Sequence, residues 1–146
     1  MYQRILVAVD GSDTSNAALQ EAIMLAKDQH AALRLIHVVD LAMAYSAVEA
    51  TYVFECRNAM ETEGKKVVAD CSASARAAGI EPDSKCVVTL AEHIYDVIEN
   101  EATAWAADVV VIGTHGRRGI RRLLLGSVAE GLIRISSKPV LLIRGA

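Results

Sequence analysis

The residues best suited to chemistry crowd into one stretch, Gly113-Thr114-His115-Gly116-Arg117-Arg118-Gly119-Ile120-Arg121-Arg122-Leu123-Leu124-Leu125-Gly126-Ser127. It lies between the apolar run Asp108-Val109-Val110-Val111-Ile112 and the segment Val128-Ala129-Glu130-Gly131-Leu132-Ile133-Arg134. This order predicts a strand, a glycine-rich turn, a short loop and a helix that begins at Ser127. Such a turn suits an anion. Glycine has no Cβ and lets backbone approach a ligand, while the first N–H groups of a helix lack an intrahelical acceptor and point at negative charge. The guanidinium groups of Arg117 and Arg118 follow directly and can pair with phosphate oxygens, whereas Arg121 and Arg122 suit a surface or an ion pair between subunits equally well. The stretch therefore predicts a nucleotide phosphate site. Neither G-x-x-x-x-G-K-[ST] nor G-x-G-x-x-G occurs in the chain, so it is not one of the usual phosphate loops.

A second polar cluster, Asp10-Gly11-Ser12-Asp13, closes another apolar run. Asp10 has two readings: it closes the turn or caps a helix, or its carboxylate accepts a hydrogen bond from ribose or adenine and helps hold a hydrated Mg²⁺ beside phosphates. His115, inside the glycine loop, reads as a phosphate-contacting or backbone-positioning residue rather than a proton-transfer group. His30, His37 and His93 are scattered without metal-ligand spacing, so no metal site is predicted. Cys56, Cys71 and Cys86 form no C-x-x-C and read as free thiols. The chain offers a place to bind but no Walker lysine, evident general base or acidic set for two metals, so no catalytic residue is assigned. Slow ATP hydrolysis stays compatible with this reading.

The elements that must position these residues follow from periodicity. Ile5 to Val9 is a continuous apolar run of the kind buried on both faces of a parallel sheet. Ser12 or Asp13 can cap a following helix, with Ala18, Leu19, Ala22, Ile23 and Ala26 at helical spacing and an end near Gln29-His30. Leu33 to Val39 is a second strand, Asp40 to Ala50 is weakly patterned, and Thr51 to Ala78 fits a long helix halted by Gly79 and Pro82, its Arg57, Glu61, Glu63, Lys65 and Lys66 a solvated face. Lys85 to Thr89 is a third strand, Glu92 to Ala107 a helix carrying Trp105 as a packing residue, and Val140 to Ile143 a fifth strand after Lys138-Pro139. Leu123-Leu124-Leu125 is too apolar to stand in water and is expected against the sheet or a partner. Strands separated by helices give right-handed parallel crossovers, hence an open α/β fold with helices on both faces of one sheet.

The chain has 146 residues, of which 53% are hydrophobic, which suits a single domain over 1–146 with one core. Its net charge of −3 gives no overall attraction to nucleic acid or anionic membrane, so the arginines are a local feature. Met1-Tyr2-Gln3-Arg4 lacks the pattern of a signal peptide, and no apolar stretch approaches the roughly 20 residues of a membrane span. A cytoplasmic protein is expected.

The spacing G-x-x-G, nine residues, then G-S, together with Ile5-Leu6-Val7-Ala8-Val9-Asp10-Gly11-Ser12, Leu125-Gly126-Ser127-Val128-Ala129-Glu130 and Lys138-Pro139-Val140-Leu141-Leu142-Ile143, resembles the nucleotide-binding branch of the universal stress protein family from end to end. The resemblance implies a five-stranded parallel sheet in the order 3-2-1-4-5, Rossmann-like and similar to the adenine nucleotide alpha hydrolases. It also implies ATP as ligand, with Mg²⁺ as a companion. By the same resemblance Gly113, Gly116, Gly126, Ser127 and Val128 approach ribose and phosphates, Asp10 the nucleoside, and the backbone at Val38 and Val39 the adenine edge; His115 and Arg117 stand beside them. A homodimer through the last strand and a regulatory role in stress survival are further implications. The alternatives are a nucleotide-free dimeric interaction protein, or a slow ATPase or nucleotidyl-transfer enzyme. The transferase and pyrophosphatase motifs H-x-G-H and S-G-G-x-D-S are replaced after the first strand by Asp10-Gly11-Ser12-Asp13.

Overall fold

A computed structural model describes residues 1–46, 49–115 and 125–145, excepting the Met43 side chain. Five strands, β1 (Arg4–Ala8), β2 (Ala32–Asp40), β3 (Asp83–Thr89), β4 (Val109–Gly113) and β5 (Val140–Ile143), form one sheet in the order β3-β2-β1-β4-β5. Every pairing is parallel, with Ile5 opposite both Leu33 and Val109 and Val110 opposite Val140. The order implied by the resemblance is thus borne out. Helices α1 (Asp13–Gln29), α2 (Ala42–Ser46), α3 (Val53–Ala77), α4 (Ile94–Ala104) and α5 (Ser127–Ile135) make the connections.

The central strand explains the two layers. Ile5, Leu6 and Val7 are each fully buried, because successive side chains leave opposite faces of a strand. Ile5, Val7 and Val9 join Leu19 and Ile23 of α1 and Val67 and Cys71 of α3 in one core. Leu6 packs on the other face with Ile98 of α4 and Leu132 of α5. Burying each such side chain contributes about 1.5–3 kcal/mol, so a single chain of alternating contacts fastens both helical layers to β1.

Helix ends follow local chemistry. Ser12 rather than Asp13 caps α1, its hydroxyl accepting from the Ser15 N–H at 3.2 Å, and His30 stops the helix in a left-handed conformation at φ 54°. The long helix expected from Thr51 begins at Val53, after a 3-10 turn over Ala50–Tyr52 in which the Tyr52 N–H donates to the Glu49 carbonyl at 2.9 Å. Its end is as expected, with Gly79 at φ 89° just beyond. In the weakly patterned stretch, Asp40 accepts from the Ala42 N–H at 3.0 Å and starts α2. The helix expected over Glu92 to Ala107 is shorter: Ala106 turns to φ 56° and the Ala107 N–H returns to the Ala102 carbonyl, ending α4 at Ala104. No glycine marks that stop. β3 starts at Asp83, earlier than Lys85, because Asp83 and Ser84 pair with Arg34 and Leu35 although their side chains stand in solvent.

The amino ends of the strands are tied by carboxylates. Asp108 accepts from the Gln3 and Arg4 N–H groups at 2.8 and 2.9 Å, and these bonds hold its carboxyl below the usual aspartate range. Burial pushes Glu99 upward, but the N–H and hydroxyl of Ser137, the Ser136 hydroxyl and Lys138 outweigh it, and its carboxyl is also lowered. A carboxyl lowered on folding stabilises the protein above its unfolded pKa, about 4, and that contribution is lost as pH falls through the folded value. Asp108→Asn and Glu99→Gln are each expected to lower the urea midpoint at neutral pH, with the gap from the parent closing below pH ~4. Urea titrations across pH check this; a gap of constant size would remove these groups from the acid limb.

Candidate functional site

At their carboxyl ends β1 and β4 part, β1 turning toward α1 on one face and β4 leading on toward α5 on the other. The crevice outside such a reversal is where ligands settle in open parallel sheets. Here it holds a cavity of about 600 Å³, lined from β1, β2, β4, α3, α4 and α5. Asp10, Val38, Val39, Gly113, His115, Gly126, Ser127 and Val128 all line it. Gly116 and Arg117 lie outside the described residues, as do Arg118, Arg121, Arg122, Leu123 and Leu124. Leu125 packs against the core under α4 and α5, as expected of an apolar residue there.

The cavity has two chemically distinct sides. Between the sheet and the helices α4 and α5 it is aliphatic, with Ala8, Ile36, Val38, Ile98, Ile112 and Ala129 on its wall. This lobe suits a flat apolar group. Toward the start of α5 it is a donor surface: Gly126 stands at the N-cap with no side-chain cap, so the N–H groups of Ser127, Val128 and Ala129 have no intrahelical partner. The dipole of the helix adds partial positive charge at the same point. An anion there would be held by backbone amides and the Ser127 hydroxyl.

The acidic residues sit opposite. Asp10 Oδ1 accepts from the Ser12 N–H at 2.8 Å, and the Asp10 N–H donates to Ser15 Oγ at 2.9 Å, which locks the turn through Gly11 at φ 82°. Its turn-closing role is therefore real, and its carboxylate still lines the cavity. Asp40 and Glu63 line it as well. Glu63 is exposed, as a solvated helix face requires, yet borders the site. Among the described residues no group of three or more His, Cys, Asp or Glu is gathered to hold a metal ion.

Sequence reasoning missed His37, Met60 and Gly64, which line the cavity too. His37 had a signal: it breaks the inward apolar alternation of Leu33 and Leu35 on β2. It is buried, and its Nδ1 donates to the Val9 carbonyl at 2.7 Å, closing the strand end that borders the crevice. Gly64 is the close approach of α3 to the sheet, where a Cβ would stand 2.6 Å from Val39 Cγ2 and 3.2 Å from the His37 ring. The thiols take no part in such chemistry: burial raises Cys71, helped by Asp70 and Asp10, and burial likewise raises Cys86, so both stay protonated at neutral pH.

Gly113 has a structural cause beside any role toward a ligand. A Cβ there would lie 2.8 Å from Thr14 Cγ2 and 3.0 Å from the Thr14 carbonyl oxygen, so the start of α1 presses on the end of β4. His115 follows, its Nδ1 3.0 Å from Thr114 Oγ1 and its Nε2 buried with no hydrogen-bond partner among the described residues.

The profile described as "Universal stress protein family" matches residues 1–144. Universal stress protein YxiE of Bacillus subtilis is 30% identical over 151 aligned positions, covering 99% of this chain and 100% of its own. The solved structure of protein MJ0577, a universal stress protein of Methanocaldococcus jannaschii, superposes with a TM-score of 0.86 at 27% identity, covering 100% of this chain and 98% of that one. A universal stress protein crystallised in complex with cAMP superposes with a TM-score of 0.71 at 26% identity, each chain covered to 99%.

The contact at Gly113 generates a test. Gly113→Ala is expected to cost about 1–3 kcal/mol of stability, as overpacking does. Thr14→Ser removes the nearest atom and should recover part of that loss in the double variant, as read from denaturant midpoints. No recovery would mean that Thr14 is not what the added methyl meets.

Proposed function

The chain belongs to the universal stress protein family, and from that premise we propose that it is an ATP-binding regulator, a nucleotide-dependent switch or sensor that supports survival under stress. The observation that carries this reading is the union, in one cavity, of an aliphatic lobe with an uncapped helix start. A purine fills the lobe, its edge read by main-chain groups at Val38 and Val39. Asp10 accepts from the ribose. The phosphates lie at Gly126, Ser127 and Val128, beside Gly113 and His115, with Gly116 and Arg117 completing the set from outside the described residues. Any Mg²⁺ arrives with the triphosphate and reaches the protein through water. The cAMP complex of a relative supports an adenine nucleotide as the ligand class.

The family setting also supports a cytoplasmic homodimer in which β5 pairs with its copy across a two-fold axis. β5 is the edge strand of the sheet, and Leu141 on it is 39% exposed. No helix among the described residues is long and apolar enough to cross a membrane.

Calorimetric titration tests the ligand. ATP should give heat that Ser127→Ala weakens about tenfold, the loss of one hydrogen bond to a charged group, and that Gly116→Val with Ser127→Ala abolishes. GTP should bind more weakly than ATP, because an aliphatic lobe leaves the extra polar groups of guanine unpaired. Absence of heat with any adenylate in the parent protein would favour a nucleotide-free interaction protein. For the dimer, Leu141→Arg should shift sedimentation from dimer to monomer; an unchanged dimer would move the interface away from β5.

A further inference from the structure

At the carboxyl edge of the sheet β2 outlasts β1, and its last residues border the cavity. The register of β1 with β2 closes at Ala8 opposite Ile36, whereas β2 stays paired with β3 as far as Asp40 opposite Thr89. The Val9 N–H donates to the Ile36 carbonyl and the Leu41 N–H to the Thr89 carbonyl, each at 2.9 Å, so even-numbered residues of β2 turn their main chain toward β1 and odd-numbered ones toward β3. Past Ile36, β1 turns away and the Val9 carbonyl receives the His37 ring. The N–H and carbonyl of Val38 therefore face the crevice. Side chains alternate as well: Ile36 and Val38 pack with Ile98 of α4 and Leu132 of α5, while Val39 stands on the other face against Gly64 of α3. By the same alternation Asp40 falls on the face of the aliphatic lobe, roughly 6–7 Å beyond Val38 along the strand. It lines the cavity, and its Oδ1 accepts from the Ala42 N–H at 3.0 Å, which anchors the carboxylate. Among the described residues no Lys or Arg pairs with it.

Resting on the reading of this cavity as a nucleotide site, we infer that Asp40 determines which purine it accepts: its carboxylate takes a hydrogen bond from the exocyclic amino group of adenine and rejects a base with an oxo group at that position. A purine lying on Ile36 and Val38, with its phosphates at the start of α5, runs its far edge along β2, past the Val38 main chain and toward Asp40. An ionised carboxylate and a backbone carbonyl only accept. The amino group has two N–H bonds, one for the Val38 carbonyl and one for the carboxylate. An oxo group adds a further acceptor and leaves both without a donor. The carbonyl alone gives the same sign of preference, and the charge of Asp40 roughly doubles the strength of the bond that carries it. The other carboxylates on the wall are placed for different work. Asp10 closes its own turn at the end of β1, and Glu63 comes from α3, on the face of the sheet opposite the aliphatic lobe.

The test is calorimetry on the full chain with ATP and with ITP, whose base carries an oxo group in place of the amino group. Asp40→Asn keeps an oxygen for the Ala42 N–H and turns an N–H₂ group to the base. ATP should bind this variant about tenfold more weakly and ITP no more weakly than the parent, so the preference for ATP over ITP falls by about tenfold or more. Asp40→Ser also caps the turn but withdraws the carboxylate; it should weaken ATP and leave ITP unchanged, with circular dichroism confirming that both variants fold. An unchanged ratio of ATP to ITP affinity in the folded variants overturns the inference, since Asp40 would then act only through the turn into α2. A parent protein that binds ATP and ITP alike also overturns it and leaves nucleotide binding standing. No heat with either nucleotide removes both the nucleotide reading and this one.

Discussion

The contact of Thr14 with the end of β4 sets the geometry on which the site depends. β1 and β4 are paired through Ile5–Val109, Leu6–Val110 and Val7–Val111, and beyond that the two chains diverge to opposite layers. How far they diverge is limited by two local devices. The Asp10 carboxylate and Ser15 hydroxyl fold the turn through Gly11, which brings the start of α1 against Gly113, where there is room for hydrogen alone. A larger residue at 113 would push α1 outward and reshape the crevice before any ligand met it. The glycine of the signature is thus first a packing residue. Approach to a ligand is compatible with that role, and both demand the missing Cβ.

Charge within the cavity is segregated without help from the net charge of the chain. Asp10 and Asp40 each accept a backbone N–H two residues on, so they stand where β1 and β2 turn into helices. The donor side has no carboxylate cap: Gly126 occupies the position where aspartate or serine commonly satisfies the first amides of a helix. A capping side chain would gain about 1 kcal/mol for the helix and cover the amides to which the proposed phosphates are assigned. Glycine at that position leaves stability unclaimed and the amides available. The same logic explains how a chain with an acidic balance presents a local donor surface.

Much of this was legible in the sequence. The continuous apolar run Ile5 to Val9, bounded by Asp10-Gly11-Ser12, read as a strand covered on both faces, and Gly126-Ser127 before an apolar-periodic segment announced α5. What periodicity could not supply was anything decided across the sheet. His37 looks like an isolated histidine until its partner, the Val9 carbonyl of the neighbouring strand, is in view. Gly64 looks like an unfavourable residue in a long helix until Val39 and Cys86 are found where its Cβ would be. The early end of α4 was also hidden, because Ala106 adopts a left-handed conformation that sequence ordinarily marks with glycine. Strand order came from family resemblance, since parallel runs of Val, Ile and Leu carry no address for their neighbours.

The opposite edge of the sheet shows why the site can remain open. Arg34 on β2 pairs with Asp83 at the start of β3 and with Glu101 on α4, Lys85 reaches the same Glu101, and the guanidinium lies 4.6 Å from the Trp105 ring centre. Glu101 is only 8% exposed, so its charge depends on both cations; removing either partner would leave it underpaired in a place water barely reaches. Asp108 adds its two bonds to the start of β1 at the same edge. These ties fix the amino ends of β1, β2, β3 and β4 relative to α4. Among the described residues, the first amides of α5 have no intrahelical partner and Nε2 of His115 has no hydrogen-bond partner, so these polar atoms are not what holds the sheet together.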